Sequence, residues 1–214
     1  MDGTVPPALT WLIRHGQSAS NAGLPATGHD DVPLTELGLM QARALVDRLR
    51  QPPDLLILSP FLRARATAEP ILARWPDTRC ETWPIQELTY LSPARCVGTT
   101  SATRRPWIDD YWQRCDPDYC DAADAESFAA FLGRLRDFHR RLLALDARFV
   151  VAVGHGQFFC AYLIALDKGF EGSAQWMRDY RLNETARPMA NCEVIELDAG
   201  ALLRARPLHL TTGP

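Results

Sequence analysis

Leu12-Ile13-Arg14-His15-Gly16-Gln17-Ser18 joins a short apolar run, residues 8–13, to a group of polar side chains. The apolar run predicts a buried strand, and Arg14 and His15 follow at its carboxyl end. Enzymes built on a parallel sheet hold their ligands at this edge of the sheet. Arginine offers a planar fork of donors for phosphate, and histidine is a nitrogen nucleophile near neutral pH. The stretch therefore predicts a reactive anion-binding site, and a surface turn that contains Arg and His is the alternative.

The chain has 214 residues, of which 47% are hydrophobic and 23% are charged. This length and composition predict a soluble single domain that spans 1–214. The net charge of −3 argues against a nucleic-acid-binding protein that relies on a basic surface. A local basic pocket is still compatible with this charge. The sequence leaves the oligomeric state open, a homodimer included.

The six cysteines lack the C-x-x-C or Cys/His spacing of a zinc site. Residues 1–4 lack the basic start of a signal peptide, and no apolar run is long enough to span a bilayer. The sequence therefore predicts a cytoplasmic protein with free thiols and no membrane partner. A Cys115–Cys120 disulfide in an oxidising compartment is the alternative.

Apolar runs alternate with helical patterns along the chain. Thr35 and Ser59 are predicted helix N-caps, and Pro60 follows Ser59 as a predicted first helical residue. Residues 84–124 combine prolines, aromatics and mixed charges, and they predict a partly helical lid inserted after the third strand. The predicted strands are 8–13, 55–58, 79–83, 148–153, 193–197 and 202–206, and the predicted helices are 35–50, 59–75, 125–147 and 158–166. This order predicts an α/β fold, a three-layer α/β/α sandwich with a mostly parallel central sheet.

Two histidines, His15 and His155, each follow an apolar strand and lie beside a glycine. Arg14 ends the first predicted strand, and Arg63 lies in the first turn of the helix after the second. Because parallel strands end at the same edge of a sheet, these side chains are expected to meet in one crevice. Two arginines and two histidines together suit a compact dianion such as phosphate.

Longer blocks of sequence surround these residues. The blocks are Arg14-His15-Gly16-Gln17-Ser18 with Asn21, Thr27-Gly28, Asp31-Val32-Pro33-Leu34-Thr35-Glu36-Leu37-Gly38 with Gln41-Ala42, Ser59-Pro60-Phe61-Leu62-Arg63-Ala64-Arg65-Ala66-Thr67-Ala68, Gly154-His155-Gly156 and Asn191-Cys192-Glu193-Val194. In residues and in order, they resemble the motifs of the histidine phosphatase superfamily, the phosphoglycerate-mutase-like group. The resemblance extends from the first predicted strand to the strand at 193–197.

The resemblance implies that His15 is the nucleophile and forms a phosphohistidine. The side chains that it implies as phosphoryl ligands are Arg14, Arg63 and His155, with Asn21, Ser18 and Gly156 as further phosphate contacts. An Asx-turn is the alternative role of Asn21. Asn191 either orients the neighbouring loop or belongs to a turn before the last strand.

A leaving alkoxide needs a proton, so a general acid is expected opposite the nucleophile. The family often supplies it from a glutamate after the third strand, where this chain has Glu87, and a solvated carboxylate is the alternative. The fallback acids are Asp109, Asp110 and Glu126. Gly156 stands where the acid-phosphatase and phytase branch has an aspartate, which disfavours that branch. Since arginines and histidines supply positive charge, neither a metal nor another cofactor is expected.

Arg104 and Arg105 of the predicted lid resemble an arginine pair with which cofactor-dependent mutases grip a second phosphate or a carboxylate. Solvated arginines, or pairs with Asp109 and Asp110, are the alternatives. The resemblance predicts a phosphomonoesterase that acts through a phosphohistidine on a small phosphorylated metabolite. The alternatives are a cofactor-dependent phosphoglycerate mutase and a non-catalytic phosphate-binding relative.

Overall fold

A computed structural model describes residues 6–25 and 28–204 of the protein. Its central sheet has five strands, which are β1 (Leu9–Arg14), β2 (Leu55–Leu58), β3 (Cys80–Thr82), β4 (Phe149–Gly154) and β5 (Val194–Asp198). Their order across the sheet is β3-β2-β4-β1-β5, and among these five only β5 runs antiparallel to its neighbour. The predicted mostly parallel sheet is confirmed. Thr27 and the end of the predicted strand at 205–206 lie outside the described residues.

Helices cover both faces of this sheet. They are α1 (Glu36–Arg48), α2 (Leu62–Arg74), α3 (Pro93–Cys96), α4 (Ser101–Arg114), α5 (Phe128–Leu143), α6 (Gly156–Lys168), α7 (Ala174–Ala186) and α8 (Ala199–Leu203). Neighbouring residues of a strand point to opposite faces of the sheet. Ile13 of β1 packs with Leu45 of α1 and Ile71 of α2, whereas Leu12 packs in the core of α5 and α6. The three-layer α/β/α architecture is therefore confirmed.

Two predictions, one of a helix N-cap and one of a strand, are wrong. Ser59 does not cap α2, which begins at Leu62 with Phe61 as its N-cap. The Ser59 hydroxyl contacts His155 instead, because β2 ends beside β4. The predicted strand at 202–206 is a helix as far as the structure describes it, since 199–203 form α8 under the Asp198 N-cap.

The N-cap of α1 is predicted correctly, because the Thr35 hydroxyl accepts a hydrogen bond from Gly38 N at 3.1 Å. Helix α5 is shorter than its predicted range 125–147: it starts at Phe128, where the Ser127 hydroxyl caps it, and it ends at Leu143. Helix α7 has no counterpart among the predicted elements. Only Trp176, Met177 and Tyr180 of its 13 residues are buried, so its apolar pattern is weak.

The segment 84–124 carries α3 and α4 and contributes side chains to the main core. Tyr111 and Trp112 of α4 are buried there. The ring centroid of Trp112 lies 6.0 Å from that of Phe128 in α5 and 5.7 Å from that of Tyr180 in α7. These aromatic contacts anchor the segment to the body of the protein.

All six cysteines lie within the described residues and have free thiols, so Cys115 and Cys120 are not paired in this structure. No helix in the described ranges combines the length and the apolar character needed to cross a bilayer.

Candidate active site

Three neighbouring parallel strands bring the candidate residues to one edge of the sheet. His15 follows β1, Ser59 follows β2 and His155 follows β4. The backbone continues the sheet hydrogen bonds one residue further, from His15 N to Gly154 O at 2.9 Å and from Ser59 N to Val153 O at 3.0 Å. The rings of His15 and His155 are 5.1 Å apart between centroids. The predicted convergence of the two histidines is therefore observed.

Two glycines let the turn that carries His15 approach α1 closely. A Cβ atom at Gly16 would lie 2.5 Å from Gly38 O, and one at Gly38 would lie 2.1 Å from Gln17 O. Gly16 N also donates to Thr67 Oγ1 of α2 at 3.0 Å. Backbone contact on one side and a side-chain hydrogen bond on the other hold the turn in place.

The hydrogen bonds of His15 assign its tautomer. Its Nδ1 lies 2.7 Å from Gly16 O, and because a carbonyl oxygen can only accept, Nδ1 carries the proton. The guanidinium Nε of Arg63 donates to His15 Nε2 at 3.2 Å, so Nε2 holds a lone pair. Burial lowers the pKa of His15 to about 3, and the positive charge of Arg63 is the second cause of this decrease. At neutral pH His15 is therefore an uncharged imidazole, and the Nε2 lone pair gives it the properties of a nucleophile.

Both predicted arginines reach this edge of the sheet. Arg63 is 7% exposed, and its Nη1 also donates to His29 O at 3.0 Å. Arg14 donates through Nη1 to Met189 O, while its buried Nε has no partner among the described residues. A Cβ atom at position 156 would lie 3.1 Å from Arg14 Cδ, so Gly156 leaves room for this side chain. The phosphate contact of Gly156 stays a prediction.

Glu87 follows β3 and reaches the two histidines. Its Oε1 accepts from Gln157 N, at the start of α6, at 3.0 Å, and its Oε2 lies 3.7 Å from His155 Nδ1. Burial raises the pKa of Glu87, although Arg63 opposes this effect. The side chain still exposes 21% of its surface. A carboxyl group with a raised pKa, open to a cavity beside His15, has the properties of a general acid.

One ligand atom each from His15, Glu87 and His155 lies within 4.8 Å of the others, so these groups form a possible donor set for a metal. The guanidinium of Arg63 is hydrogen-bonded to His15 Nε2, the ring nitrogen that holds the lone pair. A cation would therefore meet fixed positive charge at contact distance, whereas an anion would be attracted. The electrostatics favour phosphate over a metal ion.

Amide side chains tie the loop after β1 to the edge of the sheet at which His15 and His155 lie. Asn21 Oδ1 accepts from Ser18 N at 3.2 Å and from Ser18 Oγ at 3.1 Å, which ties Asn21 to the residue three positions before it and is not the Asx-turn considered as the alternative. Asn191 Nδ2 donates to His15 O at 3.0 Å and to Asn21 Oδ1 at 3.1 Å, so Asn191 orients this loop. Ser18 and Asn21 nevertheless line the cavity described next, and their phosphate contacts stay predictions.

A cavity of about 270 Å³ lies between the sheet edge that carries His15 and the segment 84–124. Its lining includes His15 and Arg63, and from the segment 84–124 it includes Glu87, Leu91, Cys96, Arg104 and Ile108. Arg104 donates through Nη1 to Thr99 O at 3.1 Å and forms no ion pair with any described residue. Its charge is therefore available to a ligand in the cavity.

Arg105 differs from its neighbour, because it pairs with Asp109 at 3.1 Å and 71% of its side-chain surface is exposed. It is absent from the cavity lining. Two of the fallback acids are likewise engaged, Asp110 with Arg114 at 2.8 Å and Glu126 with Arg134 at 2.6 Å. Of the two arginines, the structure brings only Arg104 to the site.

Three further residues contribute to the site and were not predicted from the sequence. Ser59 contacts His155, Thr67 holds the turn of His15, and His29 donates or accepts a 2.8 Å hydrogen bond with Thr89 across the cavity. Ser59 and Thr67 belong to a block of the family resemblance, which is the signal that pointed to them. His29 had no signal beyond its place in a polar loop.

The comparisons with known proteins agree with this geometry. The profile of the histidine phosphatase superfamily (branch 1) matches residues 10–197. The adenosylcobalamin/α-ribazole phosphatase of Salmonella typhi is 30% identical over 174 residues, which cover 78% of this chain and 82% of that protein. A mycobacterial glucosyl-3-phosphoglycerate phosphatase, solved as a complex with VO3, superposes with a TM-score of 0.68 at 27% identity, over 89% of this chain and 92% of that one.

The α-ribazole phosphatase of Shigella flexneri also superposes with a TM-score of 0.68, over 89% of this chain and 90% of that one. At 23% identity, this structural similarity supports the fold alone. The family profile spans the sheet from β1 to β5 and includes His15, Arg63, Glu87 and His155. This chain belongs to the histidine phosphatase superfamily, branch 1.

Proposed function

We propose that this protein hydrolyses phosphate monoesters of small metabolites, with His15 as the nucleophile and Glu87 as the general acid. The observation that carries the proposal is the uncharged His15, whose Nε2 lone pair lies 3.2 Å from Arg63 Nε. A nucleophile and a phosphate-binding cation thus meet at one point. Membership in a phosphatase family and the phosphatase relatives support the same reaction.

In the first step, the substrate phosphoryl group displaces Arg63 from His15 Nε2 and takes up its donors. Nε2 attacks the phosphorus, the bond from phosphorus to the ester oxygen breaks, and Glu87 gives its proton to the leaving alkoxide. Arg14, Arg63 and His155 donate to the phosphoryl oxygens, which stabilises their charge in the transition state. The Nδ1–H bond to Gly16 O keeps the ring of His15 oriented throughout.

In the second step, Glu87 is a carboxylate and takes a proton from a water molecule. That water attacks the phosphorus, the bond from phosphorus to Nε2 breaks, and inorganic phosphate leaves. Glu87 is protonated again and His15 is regenerated as the neutral ring. Two displacements at phosphorus, with Nε2 as nucleophile in the first and leaving group in the second, replace a single difficult one, and no metal takes part.

The segment 84–124 is proposed to act as a lid that selects the leaving group. Apolar side chains, among them Leu91 and Ile108, and the charge of Arg104 line its part of the cavity. A leaving group with an apolar portion and an anionic group suits this lining. The two relatives are named as phosphatases of α-ribazole compounds and of glucosyl-3-phosphoglycerate, which are phosphorylated metabolites.

A panel of phosphomonoesters tests the proposed reaction. The purified protein should release phosphate from several of them, and the rate should be the same with EDTA as without it, because arginines supply the positive charge. Phosphoglycerates belong in the panel with analysis of both phosphate and isomers, since isomerisation without phosphate release would identify a mutase. An activity abolished by EDTA and restored by a metal would contradict the mechanism.

The lid arginines offer a matched pair of variants. Arg104→Ala should raise KM about 10- to 100-fold for substrates with a second anionic group, the effect of losing a charge-assisted hydrogen bond. Arg105→Ala should change KM less than about 2-fold, because an exposed ion pair contributes little. A phosphoglycerate compared with glycerol phosphate, which lacks the carboxylate, measures this difference. Equal effects of both variants on both substrates would exclude Arg104 as a substrate ligand.

A further inference from the structure

The hydroxyl of Ser59 lies at the carboxyl end of β2 and contacts the ring of His155. Ser59 is fully buried, and its Oγ lies 2.7 Å from His155 Nε2. The same oxygen accepts a hydrogen bond from Phe61 N at 3.3 Å. No other partner of this hydroxyl occurs in the described part of the chain. Its single hydrogen therefore has His155 Nε2 as its acceptor.

This assignment determines the tautomer of His155. If Nε2 carried a proton, the Ser59 oxygen would accept two hydrogen bonds and its own hydrogen would be buried without an acceptor. When Ser59 donates, Nε2 is the acceptor, and the neutral ring carries its proton on Nδ1. That Nδ1 is buried and without a hydrogen-bond partner among the described residues. Glu87 Oε2 lies 3.7 Å away, too far for a hydrogen bond.

We propose that Ser59 is a positioning residue that holds His155 in the Nδ1–H tautomer, so that the neutral imidazole donates to a phosphoryl oxygen. The proposal rests on the proposed function, because the acceptor is the phosphoryl group that reacts with His15. The other tautomer would present a nitrogen lone pair to the phosphoryl anion and repel it. Ser59 thus acts on the substrate only through the ring of His155.

His155 depends on this tautomer because its ring is uncharged at neutral pH. Burial lowers the pKa of His155 well below its usual range, and the charge of Arg63 lowers it further. The titratable and charged groups that face it are Arg14, His15, His29, Arg63 and Glu87. An imidazolium would donate from both nitrogens whatever its hydroxyl partner does, but it forms only in acid.

The tautomer of His155 is measurable in the wild-type enzyme. With 15N-labelled histidine, long-range 15N–1H correlation spectra distinguish a protonated ring nitrogen from one that holds a lone pair. The His155→Gln variant identifies the signals of His155. We expect a protonated Nδ1 and an unprotonated Nε2 at pH 7, with the Nδ1 signal shifting when inorganic phosphate is added. A protonated Nε2 in the folded wild-type enzyme would overturn the proposal.

The Ser59→Ala variant tests the consequence for the reaction. At pH 7, kcat/KM should fall roughly 10- to 100-fold, somewhat less than the loss of a whole oxyanion donor. The loss should shrink toward acid, where the imidazolium donates from Nδ1 without help. Ser127→Ala, which removes the N-cap hydroxyl of α5, is the matched control and should keep the wild-type pH profile.

A Ser59→Ala loss that is equal at every pH, with the tautomer unchanged, would reduce Ser59 to a structural residue and refute the proposal. The spectroscopic measurement needs no turnover, so it also separates the two hypotheses. A protein with the Nδ1–H tautomer and a phosphate-dependent Nδ1 signal, but without hydrolysis of any phosphomonoester, supports the role of Ser59 and contradicts only the proposed function.

Discussion

The His15→Ala variant should lose at least about 10⁴-fold in kcat on every phosphomonoester that the wild-type enzyme hydrolyses, the scale of removing a catalytic nucleophile. The reason is geometric as well as chemical. Nε2 of His15 holds a lone pair, because the proton of the ring is on Nδ1. The guanidinium Nε of Arg63 lies 3.2 Å from Nε2. His155 cannot replace it, because Ser59 occupies its Nε2 and its Nδ1 is the predicted proton donor.

The variant must be shown to fold and to bind the anion. Thermal unfolding with and without inorganic phosphate provides both, since Arg14 and Arg63 remain and should still stabilise the protein when phosphate binds. His155→Ala is the matched comparison and should lose only about 10²- to 10³-fold, the effect of one phosphoryl donor. A folded His15→Ala enzyme that retains more than a few per cent of wild-type turnover would show that another residue is the nucleophile.

The phosphoenzyme gives a second measurement of the same prediction. Rapid quenching of the wild-type enzyme in base, where phosphohistidine is stable, should trap the phosphoryl group on a peptide that contains His15. The peptide from His15→Ala should carry none. A phosphoryl group trapped on His155 or on a serine would contradict the assignment.

The Glu87→Gln variant should separate substrates by their leaving groups. On alkyl phosphates we expect the rate of the first step to fall about 10²- to 10⁴-fold, because the alkoxide then leaves without a proton. On p-nitrophenyl phosphate the first step should change little, since the phenolate is stable unprotonated. Glutamine keeps the shape of the side chain and can still accept from Gln157 N. Because Glu87 also takes the proton of the attacking water, the second step should slow equally for both substrates, so the comparison uses the single-turnover rate of leaving-group release. Equal losses in that first step would argue that Glu87 is not the acid.

The pH dependence follows from the protonation that the reaction needs. Burial raises the pKa of Glu87, so its carboxyl group keeps its proton to a higher pH than an exposed glutamate. Activity on alkyl phosphates should therefore fall as pH rises through this pKa, and Glu87→Gln should lack that decline. Asp109→Asn, which changes an exposed partner of Arg105, is the control and should leave both substrates and the profile unchanged.

The predictions of strands and of their order were correct where neighbouring residues in the chain determine the structure. The strands before His15 and His155 are predicted by nearly continuous apolar runs, which are buried on both faces of the sheet. Parallel strands end at one edge, so the meeting of the two histidines follows from the order of the elements. Helix α7 and helix α8 were missed because their burial comes from distant partners and leaves little trace in their own residues.

The site was predicted less completely than the fold. Ser59 has the local properties of an N-cap, and nothing in its immediate neighbours indicates that its hydroxyl belongs to His155, which is 96 residues away in the chain. Arg104 and Arg105 are adjacent and chemically identical. Their difference arises because α4 directs one side chain into the cavity and the other toward Asp109 on the exposed surface.

The sequence by itself therefore determined the α/β architecture and the family, because periodicity, strand ends and short motifs depend on neighbouring residues. It also predicted His15 as the nucleophile, which the variants above test. Only the tertiary structure decided the charge states and tautomers of the site. Those depend on burial, and burial is created by segments that are far apart in the chain: Glu87 is held by the first turn of α6, and His155 by the end of β2. The chemistry of each group is set by these distant contacts.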